Sequence, residues 1–248
     1  PVFHRARVQL GGAHRQPREG ETNVSKTPWV QETRPQFLLL AVLLVAHASA
    51  LAAWQGSFNW LHAVLAGVGL VLMHGSVNAL NDWHDWSKTG IDKQTPRTPF
   101  SGGSGLIPAG KITAKQALLV GVVTLVAGCA IGLYLAWVAG WQLLAIGAAG
   151  ALMIVLYTPV FNKLALGEIF AGLGLGLLPV VGTYFLLTGR FDAVAWISGI
   201  PAFCLPGHLL PLNARPGDEA DKAGGRTHMV RILGKKGARW LYAAVEVG

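Results

Sequence analysis

Charge and cysteine are both scarce in this chain. Only 13% of its 248 residues are charged, against about 25% in a typical soluble domain, and 52% are hydrophobic. This composition argues against an ordinary soluble enzyme, and it excludes a disordered chain, which needs low hydrophobicity. The two cysteines, Cys129 and Cys204, fall inside apolar runs and are too few for a disulfide framework. We therefore predict a protein that is embedded in a lipid bilayer.

Six apolar stretches are long enough to cross that bilayer, which takes about 20 mostly apolar residues per helix. They cover residues 35–54, 61–80, 117–138, 141–157, 166–188 and 191–212. Their interiors contain no Lys or Arg, and they lack the alternation of barrel strands. The predicted fold is all-α, a polytopic transmembrane helix bundle. Three prolines, at 201, 206 and 211, predict a kinked or broken sixth helix.

The two ends of the chain differ from these spans. Residues 1–28 are polar and are predicted to form a mobile N-terminal segment, whereas residues 29–248 are predicted to form the bundle. A seventh apolar run opens at Ala238, but only eleven residues of it are present before the sequence stops at Gly248. We therefore expect six full spans plus the start of a seventh, and an incomplete bundle.

The basic residues are distributed unevenly between the two sides of a six-span arrangement. Nineteen of the 20 Lys and Arg fall before the first span, in the loop 81–116, in the turn after the fourth span, or in the segment 213–239. Arg190 alone falls on the other side. The positive-inside rule then places the nineteen on the cytoplasmic side. The net charge of +8 is thus explained by membrane topology, and we predict no nucleic-acid partner.

Two acidic clusters lie on that same side. One follows the second span and contains Asp82, Asp85 and Asp92, with Asn78 and Asn81 just before it. The other follows the sixth span and contains the acidic residues Asp218, Glu219 and Asp221. Oxygen ligands of this kind suit Mg²⁺, which usually completes its coordination with water and substrate phosphates. Basic residues stand beside both clusters: Lys88, Lys93, Arg97, Lys222 and Arg226.

Carboxylates that hold a metal, next to cations that hold phosphate, indicate a diphosphate site. Two carboxylates that converge repel each other unless a cation joins them. The alternative is that these loop residues are simply solvated, as charged loop residues usually are. Two such clusters on one face of a chain with only twelve acidic residues favour the site.

The surroundings of both clusters resemble the two signatures of UbiA-type prenyltransferases. The first signature is matched by NALNDWHDWSKTGID and RTPFSGGSGLIPAGKIT, and the second by EADKAGGRT. The start of the family's first helix is matched by TPWVQETRPQFLLL, and a later stretch by YTPVFNKLALGE. The resemblance covers roughly residues 27–240 and is closest to the menaquinone-type, 1,4-dihydroxy-2-naphthoate polyprenyltransferase branch.

This resemblance implies a nine-helix membrane bundle around a central cavity and an Mg²⁺-dependent enzyme. Such an enzyme transfers the chain of a polyprenyl diphosphate to an aromatic acceptor in quinone synthesis. Carried over to this sequence, the catalytic residues are Asp82, Asp85 and Asp221. The implied metal ligands are Asp82, Asp85, Asp92, Asp218 and Asp221, and the implied diphosphate contacts are Asn78, Asn81, Arg97, Lys222 and Arg226. On this basis we predict that replacing Asp82 or Asp85 by Ala abolishes transfer.

The sequence departs from the family pattern at Gly217, where the second signature usually has Asp directly after Pro216. An Asp there would lie one helical turn before Asp221. We predict that this motif is impaired, with Asp218 as a partial substitute. The spacing of six residues between Asp85 and Asp92 also exceeds the three of the ubiquinone branch.

Other functions remain open at this stage. A 4-hydroxybenzoate-type acceptor is the alternative within the family. A CDP-alcohol phosphotransferase also uses paired Asp in a membrane, but it places them in one helix region, whereas these clusters are about 130 residues apart. A transporter or a non-catalytic truncated membrane protein is the remaining alternative.

The glycine-rich segment SGGSG at 101–105 has two interpretations, a phosphate cradle made by backbone N–H groups or a flexible loop.

Overall fold

A computed structural model describes residues 27–98, 102–214, 217–229, 231–234, 237 and 240. Of the predicted mobile segment 1–28, only residues 27 and 28 are described. Of the predicted seventh apolar run, only Trp240 is described. Within the described part the chain forms α-helices, short π-helical and 3₁₀ turns, and no strand. The all-α prediction is confirmed.

Residues 229 and 231–234 are helical, and before them the described residues form nine α-helices. In chain order they are α1 Pro28–Glu32, α2 Pro35–Trp54, α3 Trp60–His84, α4 Ala114–Ala139, α5 Trp141–Leu156, α6 Gly167–Gly172, α7 Leu178–Thr188, α8 Ala193–Ala214 and α9 Asp218–Ala223. Turns of π-helix extend α3 over Asp85–Thr89 and α5 over Tyr157–Phe161, and a third, Leu173–Leu177, joins α6 to α7.

Five helical segments are long and apolar enough to cross a bilayer. They are Pro35–Trp54, Trp60–Thr89, Ala114–Ala139, Trp141–Phe161 and Gly167–Thr188, and they coincide with the first five predicted spans. The sixth predicted span corresponds to α8, whose described apolar part, Ala193–Pro206, is shorter. Because no polar backbone group is exposed inside a helix, such segments are compatible with the hydrocarbon core.

The helix α7 lies at the centre of the bundle. Eight of its eleven residues are buried, whereas α5 has no buried residue and presents its small side chains to the interior cavity and the surroundings. Helix α2 packs against α7 through Leu44, Ala48 and Val180. This arrangement leaves space between α5 and the other helices, and that space is the cavity described below.

Glycine and proline together determine how α8 packs on its neighbours. Pro206 has no N–H to donate to the carbonyl of Ala202, one turn earlier in α8. That carbonyl oxygen lies directly against Gly176, so closely that a Cβ at residue 176 would overlap it. Small residues permit this close approach of helices in lipid. α8 is continuous through all three of its prolines.

We expect Gly176→Ala to destabilise the bundle by about 1–3 kcal/mol, because the added methyl overpacks a backbone contact. The measurement is thermal unfolding of the purified protein in detergent. Gly147→Ala is the matched control, since a Cβ at this helical glycine meets no atom within 4 Å. Equal unfolding temperatures for the two variants would contradict the packing described for α8.

Candidate active site

A cavity of about 1020 Å³ extends between the helices. Most of its wall is apolar and comes from the membrane-spanning helices, including Leu43, Met73, Ile131, Met153 and Leu178. One group of lining residues is polar, and we call it the polar end: Asn78, Asn81, Asp85, Asp92, Asp221, Arg226 and His228. The site therefore combines a large apolar volume with a small charged region.

The first acidic motif is positioned by the end of α3. Asn78, Asn81 and Asp85 follow one another at spacings of three and four residues and therefore share one face of the helix, whereas Asp82 is adjacent to Asn81. The side-chain amide of Asn81 donates to Asp85 Oδ2 at 3.0 Å, and its oxygen accepts from Thr158 Oγ1 at 3.2 Å. Asp85 and Asp92 line the cavity.

Asp82 is placed differently from the prediction that grouped it with Asp85. It is 2% exposed and is not part of the cavity wall. One of its oxygens pairs with Arg34, and the other accepts the backbone N–H of Ser104 at 2.7 Å. Asp82 therefore lies behind the polar end and holds the parts around it together.

The glycine-rich loop packs its backbone onto this motif. Gly103 has a φ of +76°, which favours glycine, and a Cβ there would lie 3.1 Å from both Asp82 Oδ1 and Asp92 Oδ1. The Ser104 N–H is donated to a carboxylate of the protein itself. For the described part of SGGSG, this observation favours a clamp on the acidic motif over a phosphate cradle.

Arg226 connects the two acidic motifs. Its Nη2 lies 2.7 Å from both carboxylate oxygens of Asp85, and its Nη1 lies 3.5 Å from Asp221 Oδ1. Asp221 also contacts His228 Nε2 at 2.8 Å. Asp221 of the second cluster therefore lies close to Asp85 of the first, with Arg226 in contact with both.

Two further predicted site residues are not part of the cavity wall. Lys222 is exposed and Arg97 pairs with Asp92 at 2.7 Å, and neither lines the cavity. The side chain of Asp218 lies outside the described residues. We therefore propose no role in binding diphosphate for Lys222 or Arg97.

Four residues at or near the site were missed by sequence reasoning. Glu32, Arg34, Glu168 and His228 all contact the acidic motifs or the segments beside them. Arg34 stands directly before Pro35 at the start of the first span, and Glu168 is an isolated carboxylate at the start of the fifth. An isolated charge at a span terminus was the available signal, because such residues are costly in a membrane and are often functional.

The polar end retains its cations at neutral pH. Burial alone would lower the pKa of His228, but its contacts with Asp221 and Glu168 raise it to about 9. Burial also disfavours the charged form of Arg226, and Asp85 and Asp221 more than offset this, so its pKa is raised. For Asp92, burial raises the pKa to about 6, and Asp82 acts in the same direction while Arg97 opposes it. Added positive charge would therefore stabilise the Asp92 carboxylate.

The donor set of the polar end fits a divalent cation that arrives with a phosphate group. In the described part of the chain, no three side chains of His, Cys, Asp or Glu converge into a complete metal cluster. Mg²⁺ does not require one, because it usually takes one or two carboxylates and completes its coordination with water and substrate phosphates. Asp85, Asp92 and Asp221, with the Asn78 and Asn81 oxygens, supply hard oxygen ligands of this type on the cavity wall.

The environment of Gly217 allows its predicted defect to be tested. A Cβ at this buried residue would lie 3.8 Å from Asp221 Oδ2 and 3.0 Å from Thr95 Cγ2. We expect Gly217→Asp to raise activity or to lower the Mg²⁺ requirement, because it adds a carboxylate beside Asp221. Activity as a function of Mg²⁺ concentration checks this, with Gly217→Asn as the uncharged control. Coincident curves for wild type and Gly217→Asp, together with loss of activity in Asp218→Ala, would make Asp218 the native ligand.

Known proteins with similar sequences are octaprenyl- and farnesyltransferases. The chain is 28% identical to 1,4-dihydroxy-2-naphthoate octaprenyltransferase of Escherichia coli, over 92% of this chain and 76% of that protein. It is 31% identical to the enzyme of that name from Haemophilus influenzae, over 84% of this chain and 70% of that protein. It is also 27% identical to protoheme IX farnesyltransferase of Symbiobacterium thermophilum, over 86% of this chain and 67% of that protein.

The fold is likewise shared with a solved structure. A UbiA homolog from Archaeoglobus fulgidus, bound to GPP and Mg²⁺, superposes with a TM-score of 0.65 at 16% identity, covering 88% of this chain and 75% of that chain. The model of the UbiA prenyltransferase family matches residues 39–247. This match covers most of the chain and confirms the resemblance seen in the two acidic signatures. The chain therefore belongs to the UbiA prenyltransferase family and is an enzyme of the prenyltransferase class.

Proposed function

We propose that this enzyme transfers a polyprenyl group from a polyprenyl diphosphate to an aromatic acceptor of the naphthoate type, with Mg²⁺, in quinone synthesis. The observation that carries the proposal is the joining of the two acidic motifs by Arg226 at one end of a large apolar cavity. A diphosphate suits the charged end, and an isoprenoid chain suits the apolar remainder.

The size and lining of the cavity support a long apolar donor. Its volume of about 1020 Å³ is at the upper end of the roughly 300–1,000 Å³ range of small-molecule pockets. The wall carries aliphatic side chains such as Leu43, Ile131 and Leu178. Burial of a prenyl chain there would be favoured by the hydrophobic effect. The same walls would exclude water from a reactive allylic carbon.

The proposed residues act mainly through charge. The bond between C1 of the prenyl group and the diphosphate oxygen breaks, the electron pair leaves with the diphosphate, and an aromatic ring carbon forms the new bond to C1. That ring carbon then restores the aromatic ring by releasing a proton to water or, if it carries the carboxylate, by releasing CO₂. Arg226 would donate hydrogen bonds to the leaving oxygens, and Asn78 and Asn81 would orient them. Asp85, Asp92 and Asp221 would hold Mg²⁺, which supplies Lewis-acid neutralisation of the developing charge when bound. Such preorganised electrostatic stabilisation is usually the largest catalytic contribution.

The acceptor and the reaction can be tested together. The purified enzyme in lipid vesicles is given radiolabelled farnesyl diphosphate with 1,4-dihydroxy-2-naphthoate, 4-hydroxybenzoate or protoheme IX, with Mg²⁺ or with EDTA. We expect label in the naphthoate product only, and only with Mg²⁺. Label in another acceptor alone would make the naphthoate assignment wrong, and no labelled product under any condition would contradict the proposed function.

The orientation in the membrane is part of the proposal. The nineteen-to-one distribution of basic residues supports a cytoplasmic position for both acidic motifs. We expect a cysteine introduced at Ser87 to react with a membrane-impermeant thiol reagent only after the cytoplasmic side is opened. A cysteine at Gly189 should react from the opposite side. Labelling of residue 87 in intact cells would make this topology wrong.

A further inference from the structure

The joint between α1 and α2 holds the first acidic motif. Three consecutive residues, 32–34, each contact it or the loop that covers it. Ser104 Oγ donates to Glu32 Oε2 at 2.7 Å, Asn78 Nδ2 donates to the carbonyl of Thr33 at 2.9 Å, and Arg34 pairs with Asp82. These contacts link the start of the chain's first span to residues more than forty positions away.

Glu32 is the least expected member of this joint. It belongs to a helix of five residues whose Trp29 and Val30 are exposed, yet Glu32 itself has no exposed surface. A buried carboxylate is costly unless it is hydrogen-bonded. Its Oε2 accepts from Ser104, and its Oε1 has no partner among the described residues. The hydrogen bond from Ser104 is therefore the contact that offsets this cost among the described residues.

That hydrogen bond fixes the loop that covers the acidic motif. Ser104 donates its hydroxyl to Glu32 Oε2 of α1 and its backbone N–H to Asp82 Oδ2, both at 2.7 Å. At the adjacent Gly103, a Cβ atom would lie only 3.1 Å from Asp82 Oδ1 and from Asp92 Oδ1. A displacement of Ser104 would therefore move the backbone that separates these two carboxylates.

The backbone conformation of Arg34 indicates that contacts with other segments hold the joint between α1 and α2 in place. Arg34 has a φ of +53° although it is not glycine, and it directly precedes Pro35. Left-handed backbone in a residue of this kind persists only where surrounding contacts enforce it, and it occurs often at functional sites. Here the contacts of Glu32, Thr33 and Arg34 with the first motif supply that enforcement.

We propose that Glu32 is a positioning residue, which acts through Ser104 to hold Asp82 and the 102–105 loop in the arrangement that binds Mg²⁺ and diphosphate. Glu32 does not line the cavity and does not touch the substrate. Its role is that of a hydrogen-bond acceptor. This inference rests on the proposed function for its kinetic consequences, but its structural consequence can be measured without substrate.

A double-mutant cycle between Glu32 and Ser104 tests the link. We expect Glu32→Ala and Ser104→Ala each to raise the half-saturating Mg²⁺ concentration about tenfold, the size expected for one buried hydrogen bond, with a smaller effect on kcat. The double variant should be no worse than either single variant. Glu32→Gln should stay within about twofold of wild type, because a carboxamide oxygen still accepts from Ser104. Additive losses, or equal losses in Glu32→Gln and Glu32→Ala, would overturn the proposal.

The controls use an acidic residue and a serine away from both acidic motifs. Asp192→Asn and Ser57→Ala alter residues that lie outside the cavity wall. Both should retain the wild-type Mg²⁺ dependence. If Glu32→Ala does not fold, Ser104→Ala and Glu32→Gln still decide the matter, since wild-type Mg²⁺ dependence in Ser104→Ala would overturn the link.

Hydrogen exchange of the 102–106 segment provides the readout that does not depend on catalysis. We expect its amide protons to exchange at least about tenfold faster in Glu32→Ala than in wild type or Glu32→Gln, because the loop loses its attachment to α1. Unchanged exchange would overturn the positioning role. If wild type transfers no prenyl group but the exchange difference is present, the proposed function fails while the positioning role of Glu32 is retained.

Discussion

Asp85→Asn is expected to lower prenyl transfer by about 100- to 1000-fold, the range found when one preorganised electrostatic contact is removed from an active site. The carboxylate of Asp85 lies on the cavity wall and contacts both Asn81 and Arg226. Asparagine keeps its size and removes its charge, so packing is preserved. Initial rates as a function of Mg²⁺ and donor concentration measure the loss.

Two further variants, Asp192→Asn and Asp82→Asn, are compared with Asp85→Asn. Asp192→Asn is the control, because Asp192 pairs with Arg190 and Tyr184 away from the cavity and should retain full activity. Asp82→Asn is expected to impair transfer through movement of the loop at Ser104, since Asp82 is not part of the wall. Wild-type rates in Asp85→Asn at low Mg²⁺ would contradict the assignment of Asp85.

Arg226→Ala is expected to lower transfer by at least about 100-fold, because it removes a fixed cation and leaves buried carboxylates without their partner. Arg226 is the group that joins Asp85 to Asp221 across the two motifs. Arg226→Lys should recover only part of the rate, because lysine is a point charge and cannot reproduce the planar contacts of a guanidinium. Steady-state rates of both variants provide the measurement.

Arg190→Ala is the matched control for this substitution. Arg190 is half exposed and pairs with Asp192 away from the cavity, so its removal should leave the rate unchanged. Full activity in Arg226→Lys would show that the positive charge is sufficient. The simultaneous contact of one guanidinium with Asp85 and Asp221 would then not be required. Full activity in Arg226→Ala would remove the residue from the proposed site.

The membrane spans were predictable because they depend on local composition. A run of about 20 apolar residues forms a helix in lipid whatever surrounds it, since its backbone must be satisfied internally. The predicted span at 35–54 coincides with α2, and the next four agree with the structure within a few residues. The packing of α8 was less accessible, because the close approach of Ala202 to Gly176 joins residues that are distant in the sequence.

The partners of the acidic residues could not be predicted in the same way. Asp82, Asp85 and Asp92 were recognisable by type and spacing, but the roles of Arg34 and Glu32 depend on how the joint at 32–34 meets the end of α3. Spacing alone does not separate Asp82, which lies behind the wall, from Asp85, which lines it.

The contrast between Lys222 and Arg226 has a simple geometric cause. Lys222 immediately follows Asp221 in α9, and adjacent helical residues do not face the same side. After α9 ends, the chain turns back, and the backbone N–H of Arg226 donates to the carbonyl of Asp221 at 2.8 Å. This turn brings the side chain of Arg226 towards both motifs and leaves Lys222 exposed.

A structure of the enzyme with Mg²⁺ and farnesyl thiodiphosphate, a slowly reacting donor, tests the central claim most directly. We expect the diphosphate at the polar end, with Mg²⁺ on Asp85 or Asp221, Arg226 within hydrogen-bond distance of a phosphate oxygen, and the farnesyl chain along the apolar wall near Ile131 and Leu178. A donor bound elsewhere, with Arg226 still paired to both carboxylates and the cavity free of ligand, would contradict it.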